Sequence, residues 1–553
     1  MIATRTTPAE PLSAKILTLN AGEDAAAAQA ASAAAKRAPR QLPPLTRAEI
    51  ATRIASGQAL VLKGPLVLNV TAWSARHPGG ALALLHFVGR DAEDEMAAYH
   101  SDATLEYMRK YAVGVASDFD DEVGWKPLTP PIALGLVRHS DGIKGHWARE
   151  GRVVAAEGLV PESESALDDV VTLTAEQLEP VIVPAGLDRR VERTRSKAYH
   201  DLKKQVVDAG LFVPPGPLSG YGKDIVRYLL LGGGSLALFF GTTGWAGQMA
   251  SAALLGFMWQ QLTFVVHDAC HCGVTGNWWW DRMLAMTVAD WIGGLSAGWW
   301  CDNHDIHHLV TNHPEHDPDI QHIPFFAISV QFFRNLWSTY YKRIMWLDKF
   351  SQYMIPIQHR LYYIVLSLAR FNLYVLSYMH LFGKKVKHDF FWKYELSGLA
   401  FFWLYYGSML RSLPTWGMVF GYLVVSHVCA SPVHVQIVLS HFACSTDDLG
   451  PLESFPSRQL RTTMDVVCGE DIEFVHGGLH LQVTHHLFPR LPRHNLRKAS
   501  LLVKDYCKAY DIEYMEHGWL DGNRQVLDTL RDVANQLAIL KQVADKEIAE
   551  KMH

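Results

Sequence analysis

Hydrophobic and polar positions divide this chain into successive textures. Between about 42 and 118, short apolar runs such as Leu60-Val61-Leu62 and Leu66-Val67-Leu68-Asn69-Val70 alternate with helical stretches, which predicts a small soluble α+β domain. From about 119 to 220 the sequence becomes polar and proline-containing. It predicts a linker with a surface helix, Leu187 to Ala209, rich in Arg and Lys and ended by Gly210 and the Pro214-Pro215 pair. Two apolar segments follow, Val226 to Phe240 and Gln248 to Val266. The turn between them, Gly241-Thr242-Thr243-Gly244, holds no Lys or Arg, and the pair predicts a transmembrane hairpin. A second pair is expected at about 396 to 411 and 414 to 440, joined by Arg411-Ser412-Leu413-Pro414. Leu361 to Phe382, interrupted by Arg370 and Asn372, predicts a segment lying along the membrane interface. Beyond Arg524, residues Val526, Leu530, Val533, Leu537 and Leu540 recur at spacings of four and three, an amphipathic helix.

The expected architecture is therefore multidomain. A small α+β domain at 42–118 and a linker at 119–220 precede an all-α membrane domain at 221–505 with about four transmembrane helices and a histidine-rich cap; 506–553 form the C-terminal helix. A length of 553 residues exceeds a single core. The 17 Trp and 49% hydrophobic content suit a wide lipid–water boundary. Net charge is −5, with 51 basic against 56 acidic residues, and this balance argues against a nucleic-acid partner. The seven Cys, an odd number scattered between Cys270 and Cys507, read as reduced thiols, and Cys270 and Cys272 lack the second pair a zinc site needs. The tail at 1–41 has no apolar signal core, and its Ala25 to Ala35 run is flanked by proline and charge, so disorder is expected.

Histidine carries the candidate chemistry. His77-Pro78-Gly79-Gly80 and His100 stand 23 positions apart in the small domain, each at a helix–turn junction. Two such imidazoles can meet haem iron from opposite faces, which leaves no open position for oxygen and permits electron transfer only. The competing reading is a solvent-exposed Pro-Gly-Gly turn. His86, four residues after Leu82, is spare.

Three further clusters sit beside the apolar segments: His267 with His271, His304 with His307 and His308, and Gln482 with His485 and His486. Offsets of three and four bring side chains to one helical face. Any one cluster could be a solvated or interfacial histidine pair. Jointly they predict metal, because neutral imidazoles are preferred ligands of transition ions. Seven His and one Gln exceed what one zinc site accepts, so two ions are expected. A haem donor on the same chain favours redox-active iron over zinc. Asp268 and Asp305 could orient a ligand ring or be solvated. His313, His316 and His322 are expected to bind no metal. The Trp278-Trp279-Trp280 run, with Trp291, Trp299 and Trp300, suits interfacial anchoring or an acyl-chain slot.

The stretch His77 to His100, with Phe87-Val88-Gly89-Arg90 and the acidic residues Asp91, Glu93, Asp94 and Glu95, resembles the cytochrome b5 family. That resemblance implies haem b with His77 and His100 as axial ligands. The three clusters, with Thr311-Asn312, Asp317-Pro318-Asp319 and His486-Leu487-Phe488-Pro489, resemble the front-end branch of the membrane fatty-acid desaturases, in which Gln482 replaces a histidine. This implies two non-haem irons held by the clusters, with His441 on the last membrane helix joining them. It also implies O2, a lipid chain and an NADH-cytochrome b5 reductase as partners. Length, connector and Val475-His476-Gly477-Gly478-Leu479 look most like fungal sphingolipid Δ8-desaturases, acting on the sphingoid base of ceramides. A Δ5 or Δ6 fatty-acyl desaturase is the alternative, and a non-catalytic haem-binding membrane protein is the reading from another class. For the clusters to share metals, an even number of spans must separate His308 from His485, and two satisfy this. The Lys/Arg-poor turns place haem domain and metal site on the cytosolic face, implying the endoplasmic reticulum.

Overall fold

The computed structural model describes residues 41–141, 144–149, 173–179, 187–383 and 386–551. The expected tail lies, except for residue 41, outside the described residues.

Thr46 starts the N-terminal domain with a reciprocal cap. Its hydroxyl accepts from the Glu49 backbone N–H at 3.2 Å while the Glu49 carboxylate accepts from the Thr46 N–H at 2.7 Å. The helix this starts, Arg47–Ala55, buries Ile50, Ala51 and Ile54. In the four-stranded sheet, Leu60–Lys63 pairs antiparallel with Leu66–Asn69, which pairs antiparallel with Ala112–Ala116. Pro44–Leu45 closes the far edge in parallel with that last strand. Helices Gly80–Leu85, Glu93–Tyr99 and Asp102–Met108 lie between the third and fourth strands in sequence.

The residues expected as a linker do more than connect. Trp125 Nε1–H donates to the Gly89 carbonyl at 2.9 Å and Trp147 Nε1–H to the Ile54 carbonyl at 2.7 Å. With Leu128, Leu136, Leu173 and Leu178 they extend the core of the N-terminal domain. They escape a periodicity reading because they are single apolar positions in polar sequence. The expected surface helix, observed as Arg189–Asp208, is also half interior, with Tyr199, Leu202 and Val206 buried against helix Arg493–Ala509 and its surroundings.

The protein is a membrane protein. Among the described residues three helices are long and apolar enough to cross a bilayer: Leu218–Gly241, Trp245–Cys270 and Trp416–Phe442, the last interrupted at Ser431 before Pro432. The first two form a hairpin whose lipid side is plain from Leu229 (68% exposed), Leu230 (70%) and Phe240 (80%). Phe390–Ser412, 23 residues, is long enough to span but is diluted by Glu395, Trp and Tyr and falls outside that set. The segment expected along the interface belongs to a pair, Ser351–Ser367 and Ala369–Leu381, bent by 69° and thus not one straight helix. The C-terminal helix, Trp519–Lys551, starts after a short strand, Glu516–Gly518, that pairs in parallel with Asp465–Val467. Val526, Leu530, Val533 and Leu537 are buried as the spacing predicts, but Leu540 is 52% exposed, so the packed stripe ends one position early.

The N-terminal domain rests on the cap of the membrane domain. Ile306, Leu309 and Val310 of the cap enter its core. Asp94 accepts from the Ser196 hydroxyl at 2.9 Å and pairs with His200 at 2.9 Å, while Glu95 pairs with Arg458 at 2.9 Å. Inside the domain, Gly89 sits at φ +83°, where an added Cβ would stand 2.7 Å from Leu128 Cβ. Gly89→Ala is expected to cost at least about 1–2 kcal/mol from the left-handed backbone alone. A lowered midpoint for loss of haem absorbance on heating, with an unchanged spectrum in the cold, is the measurable result.

Candidate metal centre

Each histidine cluster is carried by a helix end or a short helix. His267 lies in the last turn of helix Trp245–Cys270 and His271 is the residue that caps it. His304, His307 and His308 lie in helix Ala297–Leu309, whose Ser296 accepts from the Trp299 N–H. His485 and His486 lie in the six-residue helix Gln482–Leu487. His441 closes the last span.

The structure brings these eight imidazoles together as two adjacent groups. His267, His271, His304, His308 and His485 place one ligand atom each within 4.8 Å of one another, and His307, His441 and His486 do the same. The division follows from helical geometry. Positions four apart share a face, so His267 and His271, and likewise His304 and His308, serve one group. Neighbouring positions are rotated by roughly 100°, so His307 and His486 turn to the other. The second and third clusters do not converge on one face as their spacing suggested; each divides between the groups. Rings of His308 and His486, stacked at 4.0 Å, join them.

The donor set fits metal ions on a structural test. His304 Nε2 and His308 Nε2 approach to 3.0 Å, and His485 Nε2 and His308 Nε2 to 3.2 Å. His267 Nε2, His271 Nε2 and His486 Nε2 are buried without a hydrogen-bond partner among the described residues. Converging lone pairs and orphaned ring nitrogens are costly unless a cation satisfies them. In the three-histidine group each Nδ1 is held from behind. Asp317 Oδ2 takes His307 at 2.9 Å, Gln459 Oε1 takes His486 at 3.0 Å and the Thr462 carbonyl takes His441 at 3.2 Å, which leaves Nε2 free to bind. Burial, and then the neighbouring rings, hold His271, His304, His308, His485 and His486 well below the usual histidine range, so they remain neutral ligands. Around His307 burial is outweighed by Asp317 and Asp319, which raise its pKa. His304, His307 and Asp319 form a further overlapping group.

The haem pair shows the same logic. His77 Nδ1 is bonded to the Gly80 carbonyl at 3.0 Å and His100 Nδ1 to the Met96 carbonyl at 3.1 Å, leaving both Nε2 atoms available. The ring centroids are 6.1 Å apart. An imidazole–metal bond of about 2 Å plus roughly 1 Å to each ring centre requires about 6 Å, so the pair fits a shared iron. Burial, and then His77, hold His100 at about 4.

The remaining candidate residues lie around these two sites. Gln482 is buried at the start of the helix that carries His485 and His486. Asp268 is buried; its Oδ1 lies 3.9 Å from His267 Nδ1, while its other oxygen accepts from Tyr221 at 2.9 Å and pairs with Arg493 at 3.2 Å, tying together three helices. Asp305 lies beneath Gly79 of the N-terminal domain. His313 pairs with Asp448, and His316 stacks between His313 and His86; none of these, nor His322, joins an imidazole group among the described residues. Of the tryptophans, Trp300 stacks on His304 at 4.2 Å and touches His267 and His271, whereas Trp278 and Trp280 are exposed as interfacial anchors. Gln459, 0% exposed, is a supporting residue without a sequence signal, since it lies in an amphipathic helix, Phe455–Thr462, that carries no histidine.

Two stretches of the chain match known families: residues 46–117 the cytochrome b5-like heme/steroid binding domain, and residues 243–518 the fatty acid desaturases. The Delta 8-(E)-sphingolipid desaturase of Kluyveromyces lactis is 41% identical over 550 residues, covering 90% of this chain and 94% of that protein. That of Komagataella phaffii is also 41% identical, with the same coverage. The Delta(8)-fatty-acid desaturase 2 of Arabidopsis thaliana is 28% identical, covering 85% of this chain and 88% of its own.

Replacing Gln459 tests the supporting layer. Gln459→Leu removes the acceptor behind His486, and a loss of roughly 10–100-fold in metal retention is expected. Non-porphyrin iron per haem, measured during chelator titration, reads it directly; unchanged retention would show that His486 needs no such support.

Proposed function

The chain belongs to the fatty acid desaturase family, and we propose that within it this enzyme introduces the Δ8 double bond into the sphingoid base of ceramides. The observation that carries the reading is the convergence of eight imidazoles in two groups beneath a docked haem-ligand pair. The sphingolipid substrate is supported by the names of the relatives matched at about 40% identity along nearly their whole length. The alternative, a Δ5 or Δ6 acyl desaturase, draws no support from the more distant plant relatives, which carry an acyl name but a Δ8 one. A purely haem-binding protein would have no use for the eight imidazoles.

Bound iron would supply reductive oxygen activation, in which O2, two electrons and two protons convert a CH2–CH2 unit to CH=CH with release of two waters. The residues do the rest. His77 and His100 would hold the haem between them, and a haem so held would supply electron transfer only. His267, His271, His304, His308 and His485 are proposed to hold one iron, and His307, His441 and His486 the other. Asp317, Gln459 and the Thr462 carbonyl fix the ring orientation of the second set. Trp300 covers the rings of the first set and keeps water from them.

Membrane geometry gives the centre a common side. The hairpin returns Cys270 to the face from which Pro217 departs, and Phe390–Ser412 with Trp416–Phe442 returns His441 to it likewise. We place that face in the cytosol, in the endoplasmic reticulum, because the far turns lack Lys and Arg apart from Arg411. An NADH-cytochrome b5 reductase on that side would then reduce the haem.

Expression in a yeast that makes no Δ8 sphingoid bases tests the reading. New Δ8 bases with unchanged fatty acids are expected, and His485→Ala should abolish them while keeping haem absorbance. Altered fatty acids with unchanged bases would transfer the assignment to the acyl alternative.

A further inference from the structure

One helix joins the two redox sites. Glu93–Tyr99 docks through Asp94 and Glu95 onto Ser196, His200 and Arg458 of the rest of the chain, and its C-terminal cap is His100. Tyr99, the residue before His100, is packed against both the N-terminal core and the cluster that surrounds His485 and His486. Its ring meets that of His308 edge-on, with centroids 6.5 Å apart and planes at 87°.

We propose that Tyr99 is the bridge by which electrons pass within the chain, from the haem held by His100 to the centre held by His308. This rests on the desaturase reading of both sites. The path is short in covalent terms, one peptide link from His100 to Tyr99 and one ring contact from Tyr99 to His308. Each passage carries one electron from ferrous haem, leaving it ferric, to the histidine-held metal. Two passages per double bond provide the two electrons that complete reduction of O2 to two waters.

The ring, not the hydroxyl, is what the position uses. Tyr99 Oη is buried and has no hydrogen-bond partner among the described residues. Nor does a neighbour stand ready to accept its proton, so an electron crosses without the hydroxyl being deprotonated. This separates Tyr99→Phe, which keeps the ring contact, from Tyr99→Leu, which removes it.

The full-length protein, reduced in advance with dithionite, is mixed with oxygenated buffer containing ceramide in detergent micelles, and haem reoxidation is followed by absorbance. His308→Ala gives the background of reoxidation that bypasses the metal centre. Relative to that background, Tyr99→Leu is expected to slow reoxidation by about tenfold, the lower end for loss of a group packed on a metal ligand. Tyr99→Phe is expected to restore it. The haem spectrum, its midpoint potential and the hydrogen-exchange protection of residues 297–309 should match wild type in both variants.

Wild-type reoxidation by Tyr99→Leu would overturn the bridge. So would equal slowing in Tyr99→Phe and Tyr99→Leu, or slowing accompanied by lost protection of 297–309, which would make Tyr99 a docking residue only. Equal rates in wild type and His308→Ala would instead defeat the reading of the metal centre itself.

Discussion

The structure depends on gathering eight imidazoles, drawn from four separate segments, with their nitrogens facing one another. Nitrogens of His304, His308 and His485 approach to about 3 Å, and those of His267, His271 and His486 have no hydrogen-bond partner among the described residues. An arrangement of this kind is stable only around cations. Spans, caps and loops are then constrained to deliver ligands to a single level. The first hairpin and the last span end there, and polar residues that would be liabilities elsewhere in a membrane protein, Asp317 and Gln459 above all, are buried because each holds a ring nitrogen from behind.

A further consequence is that the electron donor need not search for its acceptor. In a separate carrier the acidic residues beside the haem would be free for partners. Here Asp94 and Glu95 are committed to Ser196, His200 and Arg458, and Ile306, Leu309 and Val310 of the metal-bearing helix complete the donor's core. Fusion thus replaces a diffusional encounter by a packed interface, and no translational freedom is lost at each transfer.

Much of this was legible in the sequence, for physical reasons. Long apolar runs report spans because the bilayer demands them, and histidine at spacings of three and four reports convergence because the helix repeat imposes it. The resemblance to known families added His441, which spacing alone could not connect to clusters 44 to 174 positions away. What remained hidden has equally definite causes. Trp125 and Trp147 join the N-terminal core as isolated anchors with no period to betray them. Gln459 and Asp268 act through partners distant in sequence, and a polar residue in a polar helix carries no mark of what it will meet. Leu540 continues a flawless repeat past the point where there is anything to pack against. The division of His307 from His308, and of His485 from His486, was implicit in the helix angle. It could be resolved only once the position of the facing ligands was known.

The helix Arg189–Asp208 shows why donor and acceptor domains cannot be treated as beads on a string. Gln482–Leu487, which carries His485 and His486, is six residues long and too short to persist unaided. It is held by Asp465, which accepts from the Val483 N–H at 2.9 Å, and by Tyr199, whose hydroxyl donates to the Leu487 carbonyl at 2.8 Å. Tyr199 belongs to the helix whose Ser196 and His200 hold Asp94 of the N-terminal domain. The same helix reaches the membrane-domain cap again through Glu192, which accepts from the Ser454 N–H, and through the Arg195 carbonyl, which accepts from Tyr506. One face therefore fixes the third ligand cluster while the next residues fix the haem domain. A shift of this helix would move both redox sites together, so their separation is set by a single rigid element of the connector and not by the length of a flexible tether.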